Sequence, residues 1–495
     1  MNVTIGNGFG AGEAGAAHVD GERQERRPIA NGLALAALTM LAGCAVGPDY
    51  VEPETSPAAF HNADGEVFDE RPFEAEWWAQ FGDPVLDGLV ERALRSDLDV
   101  RIAASRIEES RALLRSARRR QWPSSQYEAA REESKAQQPM FTSDRIEVES
   151  YRTGFQTAWE IDVFGRLSRG TEAALADAQA AEATLRDVQV LVAAEVVDTY
   201  VDLREAQKRL RVAEENLASQ RETLRLTQVR YELGRGSELD VASARAALAA
   251  TEAQIPPLAA QEQVAAHRLA VLVGVRPGAL DVELAYREIP PHLTTLAIGP
   301  PDELLRRRPD VRAAERRLAA ETARIGVAKA DLFPRVSFDG FLGFIAGDSG
   351  ELGESSSRAW SSSPVIRWAA FDLSGVRADV RRAEASADIA LAEYERAVLR
   401  ALEETENAFV SYAQQRRRLE AVIEQADASR RAVELARIRY TEGALDFLRL
   451  LDAERTVLEA EDAAAAAAAE LNSAVVAIYK ALGGGWAAAP APSGT

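Results

Sequence analysis

Tyr151-Arg-Thr-Gly-Phe-Gln-Thr-Ala-Trp-Glu-Ile-Asp-Val163 alternates with period two, and it is soon followed by 63 residues, 171 to 233, without a glycine or a proline. In the first stretch the odd positions read Tyr151, Thr153, Phe155, Thr157, Trp159, Ile161 and Val163. The even ones read Arg152, Gly154, Gln156, Ala158, Glu160 and Asp162. Successive strand residues face opposite sides of a sheet, so one face suits lipid and the other water, as in a membrane β-strand. A soluble half-buried sheet alternates in the same way. The second stretch tips the balance, because at 1.5 Å per residue it makes a rod of roughly 95 Å. No compact globule needs such a rod.

The same pair of features returns about 210 residues later. Val336, Phe338, Leu342 and Phe344 form an apolar side against Arg335, Ser337 and Asp339, and residues 376 to 442 again lack glycine and proline. Val100 and Pro123 correspond to Val311 and Pro334, Asp162 and Gly165 to Asp372 and Gly375, Tyr231 and Gly234 to Tyr440 and Gly443. An offset this long exceeds the period of ordinary solenoids. The chain is therefore read as an internal tandem repeat, residues 85–285 and 301–482.

Both rods carry apolar residues every seven positions: Leu203, Leu210, Leu217, Leu224 and Tyr231, then Tyr412, Leu419, Ala426, Val433 and Tyr440. That period predicts left-handed supercoiling against neighbouring helices. Each rod ends at a glycine-bearing turn, Tyr231-Glu-Leu-Gly-Arg-Gly236 or Tyr440-Thr-Glu-Gly443, after which a second helix returns. Pro256-Pro257 must kink or interrupt the first return limb, whereas residues 444–482 contain neither breaker. Two further strands are expected at 124–132, polar for lipid, and at 360–371, where Pro364 suits an edge or bulge. The connections, 134–148 and 347–359, are rich in Ser, Gly, Asp and Glu.

Four strands cannot close a barrel, since membrane barrels begin at about eight, and an open edge in lipid leaves backbone groups unsatisfied at several kcal/mol each. Two copies would give eight strands with a filled lumen; three give twelve and leave a water path. The expected fold is mainly α, with long helical hairpins in a trimeric α-barrel and four strands per chain in a shared β-barrel.

Arg23, Arg26 and Arg27 precede an apolar run, Ile29 to Met40, that ends in Leu41-Ala-Gly-Cys44. About 12 apolar residues are too few to cross a hydrocarbon core, so residues 1–43 read as a signal peptide. The formal charge of -20 removes any footprint for a phosphate backbone and argues against nucleic acid. One Cys, four His and three Met leave little material for a metal site. There is no His-Glu-x-x-His or Gly-x-Ser-x-Gly, and Gly-x-Gly-x-Gly occurs only in the leader, so neither catalytic nor cofactor-binding residues are expected.

Several stretches resemble TolC-like outer membrane factors, specifically the lipoprotein branch serving resistance-nodulation-division efflux systems. They are Gly43-Cys-Ala-Val-Gly-Pro-Asp-Tyr50, Trp77-Trp-Ala-Gln-Phe-Gly-Asp-Pro84, Leu305-Arg-Arg-Arg-Pro-Asp-Val-Arg-Ala-Ala-Glu315 and Ile325-Gly-Val-Ala-Lys-Ala-Asp-Leu-Phe-Pro334. The resemblance covers residues 44 to 485, leaving an Ala/Pro-rich tail, 486–495, expected to be disordered. It implies a lipid-anchored homotrimer in outer membrane lipid, reaching across the periplasm, with Cys44 acylated at the head of a segment 44–84. A periplasmic adaptor would join it to an inner membrane proton-driven efflux transporter. The same architecture also serves type I polypeptide secretion, and the Cys44 anchor favours efflux.

The resemblance further implies an iris at the hairpin tips. Asp240 resembles the acidic partner of the first tip and Tyr440 the tyrosine of the second, while Asp446 and Asp452 match acidic positions of that branch. Tyr231, Gly234, Gly236 and Gly443 belong to the tips that would meet the adaptor. Threefold symmetry would make each Asp a ring of three carboxylates; the plainer role of such residues is to cap helix ends. This chain departs from the best-known relative in having Leu445 for a lock arginine and Arg449 for a pore aspartate, so Arg449 is expected to offset part of the ring.

Overall fold

The computed structural model describes residues 45–53, 59–137 and 145–486. The expected signal peptide, Cys44 and residues 487–495 of the expected tail lie outside the described residues. A two-residue strand β1 (Phe68–Asp69) and a 3-10 turn (Trp77–Phe81) lead into α1 (Pro84–Ser96) and α2 (Leu98–Arg120). Strands β2 (Ser124–Gln137) and β3 (Arg145–Ile161) follow, then the rod α3 (Arg166–Glu232) and its return, α4 (Glu238–Glu252) and α5 (Ile255–Leu272). The second half runs β4 (Leu296–Ala297), α6 (Leu304–Arg307), α7 (Pro309–Ala330), β5 (Arg335–Ala346), β6 (Arg358–Arg367), the rod α8 (Leu373–Thr441) and α9 (Phe447–Ala481).

Local chemistry sets these boundaries. Asp83 caps α1 by accepting from the Val85 amide at 3.0 Å, with Pro84 supplying a first turn that needs no amide. Asp97 ends α1 and caps α2, accepting from Asp99 and Val100. The first return limb breaks between Glu252 and Ile255 and restarts with Pro256 and Pro257 in its first turn, while α9 is continuous over 35 residues. Breakers thus act where the sequence placed them.

Two strands differ from expectation. β2 continues to Gln137 and β6 spans Arg358–Arg367, so the connections are shorter than the polar composition implied. Pro364 sits inside β6 opposite Phe338, tolerated because β6 is an outer strand of the sheet order β2-β3-β5-β6.

All four strands pair antiparallel, and their register stacks the apolar residues in rows. Tyr127, Phe155, Leu342 and Trp360 form one row, and Trp159, Phe338 and Pro364 another. The opposite face carries Gln126, Gln156, Phe341 and Ser361, then Ser124, Ala158, Asp339 and Ser363. A residue-by-residue alternation has become a face of the whole sheet.

The helices pack α2 on α3, α3 on α7 and α7 on α8; nearer the tips, α4 and α5 lie on α3, α3 on α9 and α9 on α8. Where the layers meet at the waist, Trp77, Trp78, Leu86, Leu89, Tyr200, Leu203, Phe409, Tyr412, Leu471 and Ile478 form the main core. Of the seven-residue series, Leu203, Leu217, Tyr412, Leu419, Ala426 and Tyr440 are buried, whereas Tyr231 is exposed. The chain has one open edge made of β2, α2 and α4–α5 and a different one made of β6 and α8. Exposed Leu98, Ile102 and Leu113 lie on the first, exposed Ile389, Leu399, Leu435 and Ile438 on the second.

Candidate functional site

Three regions carry functional geometry: the lower rim of the sheet, the waist and the hairpin tips. At the rim, Trp122, Trp159, Trp368 and Phe371 are exposed, and Phe164 stacks on Phe333 at 4.7 Å. Trp159 and Trp368 donate their indole N–H to the Gln121 and Leu332 carbonyls at 3.1 and 3.0 Å. Aromatic rings with a satisfied polar handle are the side chains that settle at a membrane–water interface. Among the described residues no helix is long and apolar enough to cross a membrane. At the tilt of membrane barrel strands, about 40°, the stretch Val336–Phe344 would rise roughly 20 Å, close to the outward apolar band of such barrels, about 25 Å.

The segment after Cys44 runs down from this rim. The Val46 amide donates to the Phe164 carbonyl at 3.2 Å, and buried Arg169 reaches Asp49 at 2.7 Å. Tyr50 donates to Glu315. Gly47 passes so close to α7 that a Cβ there would fall 2.5 Å from the Gly326 Cα, and its φ of +108° disfavours any side chain. Ala45 lies against Gly165, at the Phe164 corner of the rim.

At the waist Arg204, only 5% exposed, donates to the Ala285 carbonyl at 2.6 Å, to Gln207 at 2.8 Å and to the Tyr200 hydroxyl. The Tyr200 hydroxyl donates to Asp83 at 2.5 Å, and Arg287 reaches the other Asp83 oxygen at 3.1 Å. Burial, then Asp83, push the Tyr200 hydroxyl far above its ordinary range. Tyr412 and Asn472 hold His292 through backbone bonds of 2.8 and 3.1 Å, so the crossing segment is pinned to α3, α8 and α9. Burial holds the His292 imidazole below its usual value. Arg308 of the Leu-Arg-Arg-Arg-Pro-Asp run is buried and donates to the Ala481 carbonyl, Asp310 and Glu404. Burial, then Asp310, raise nearby Asp187 to about 6.

At the tips, Gly234 and Gly443 end α3 and α8 with φ of +70° and +78°, the left-handed conformation that glycine adopts at least cost. Asp240 closes a capping box with Ser237, each accepting from the other's amide at 2.9 and 3.1 Å. Asp446 caps α9 by accepting from the Arg449 amide at 3.0 Å. Both aspartates therefore perform the plainer role within the chain. Asp240, Tyr440 and Asp446 line one cavity of about 230 Å³. Tyr440 is buried, its hydroxyl 3.3 Å from that of Thr227 and its ring under the Arg230 guanidinium at 4.6 Å. Arg230 also donates to the Tyr440 carbonyl at 2.6 Å. Arg449 and Asp452 are exposed and, among the described residues, have no ion-pair partner in their own chain. Tyr231 and Gly443 are exposed at the tips, as is Gly234, with Gly236 partly covered.

Thr223, Thr227, Arg230, Arg437 and Glu454 were not foreseen. The signal for Glu454 was a carboxylate at an apolar position, between Leu450 and Val457 in the spacing of α9.

A sequence model described as outer membrane efflux protein matches residues 89–275 and again 301–484. The chain belongs to the outer membrane efflux protein family. Family relatives include nodulation protein T of Rhizobium leguminosarum bv. trifolii, 31% identical over 90% of this chain and 96% of that protein. Outer membrane protein OprJ of Pseudomonas aeruginosa is 31% identical, over 93% and 97%. Among solved structures, the outer-membrane channel OprN superposes with a TM-score of 0.87 at 50% identity, covering 90% of this chain and 100% of that one. The efflux-family fold of long helical hairpins beneath a small sheet is thus shared along nearly the whole length.

Proposed function

We infer that the chain is the outer membrane channel of a tripartite efflux pump, a passive exit duct for drugs or other small toxic compounds. The observation that carries this reading is a sheet apolar on one face whose two free edges continue as two different free helical edges to the tips. Unlike edges joined head to tail close into a ring, and the twist of a small sheet is what lets a few copies close it. Three copies give twelve strands around a water path and a helical barrel below it. A periplasmic adaptor grips the tips around Tyr231, Gly234, Gly236 and Gly443 and links them to an inner membrane proton-driven transporter.

Cys44 carries the lipid. Ala45 at the aromatic rim supports this, because an acyl chain one residue earlier starts at the depth of the inner leaflet. At the tips, three copies of Asp452 and of Asp446 attract cations, and Arg449 offsets part of that charge. In planar bilayers the purified protein is expected to conduct ions, and Arg449→Ala to shift the reversal potential toward greater cation preference. A protein that passes no current sinks the channel reading; an unshifted reversal potential sinks the role of Arg449.

A further inference from the structure

The seam that joins the α8–α9 hairpin to α3 near the tip buries polar groups beside a small apolar cluster of Ala244, Tyr440, Phe447 and Leu450. Gln220, Thr223 and Thr227 of α3 are buried there against Tyr440 of α8 and Glu454 of α9. Glu454 is 3% exposed. One of its oxygens accepts from the Thr223 hydroxyl at 2.6 Å and from Arg437 at 3.0 Å; the other is buried with no partner. Arg437 itself is 44% exposed and also donates to Ser219. The carboxylate is thus dehydrated, while its counter-ion keeps much of its water.

A buried ion pair of this kind is asymmetric. Dehydration of the carboxylate offsets much of the attraction, and because Arg437 is 44% exposed, a neutral isostere at Glu454 removes that cost without leaving a buried charge behind. Removing the cation instead leaves a buried charge uncompensated, which is strongly destabilising. We propose that Glu454 is a poised carboxylate, whose dehydration opposes the contacts closing the tip and whose rehydration helps the α8–α9 hairpin part from α3. Arg230 on Tyr440 and the Thr227–Tyr440 contact close the seam; Glu454 keeps it from closing too firmly. This rests on the channel reading above and adds a positioning residue outside the ring of tip aspartates.

An ordinary latch and a poised carboxylate differ in sign. If Glu454 were only a latch, Glu454→Gln and Arg437→Leu would both loosen the tip. Here the two ends of one ion pair act oppositely. In bilayer recordings of the full-length channel, open probability is expected to fall about tenfold in Glu454→Gln and to rise in Arg437→Leu by a similar factor. Thr223→Val, which strips the carboxylate of its hydroxyl partner, is expected to follow Arg437→Leu. Equal assembly of all variants, read as oligomer on native gels, separates gating from folding. Shifts of the same direction in Glu454→Gln and Arg437→Leu, or no shift in Glu454→Gln, overturn the proposal while leaving the channel intact. A wild-type protein without current removes the channel reading and this inference together.

Discussion

Leu342→Arg is expected to remove most of the assembled channel from the outer membrane, whereas Ser361→Arg, on the neighbouring strand but the opposite face, leaves it in place. Leu342 stands within the apolar face, between Phe155 and Trp360 and one row from its centre, and is one of its most exposed residues. An arginine facing lipid at the midplane costs about 2–4 kcal/mol per copy. In the proposed ring of three copies that becomes roughly 6–12 kcal/mol, comparable to the whole stability of an ordinary domain. Ser361 lies in the row of Gln126, Gln156 and Phe341, where a charge meets water. The check is the amount of oligomer in isolated outer membranes. Equal loss in both variants would mean that the two faces are not lipid and water.

Arg204→Leu carries the second large effect. Its guanidinium is enclosed by Tyr200, Asp83, Gln207 and the Leu284 and Ala285 carbonyls, so a leucine there takes the donor from the Ala285 carbonyl and the nearest buried cation from Asp83. Breaking a buried network by removing one partner costs about 3–5 kcal/mol. Arg204→Lys restores little of it, because a point charge cannot serve the same fork of acceptors. Exposed Arg95, paired with Glu91 within α1, serves as the control, and its replacement by leucine should barely move the melting temperature. A small effect at Arg204 would mean that the waist is held by its apolar core alone.

What the sequence disclosed follows from the range of the interactions involved. Rods and hairpin turns depend on runs without breakers and on single glycines, which are local, so the tip ends of α3 and α8 were legible to within one residue, while both helices start a few residues earlier than the glycine-free runs, α3 passing through Gly170. The alternation in β3 and β5 is local too. β2 was read short because beyond Ala130 it climbs past the apolar band, where Arg131 pairs across to Glu149 and Lys135 to Glu147. There both faces meet water and the alternation vanishes. At the tips, the spacing identified Tyr440 but not Thr227 and Arg230, its partners 213 and 210 residues away. Asp240 and Asp446 turned out to be helix caps as well, a role their position beside Ser237 and the glycine turns made legible.

The central claim is that unlike edges of one chain close on each other in threes. Native mass measurement of the mature protein in mild detergent tests it most directly. A single species of three chains is the predicted result; a monomer or an even-numbered assembly would contradict it.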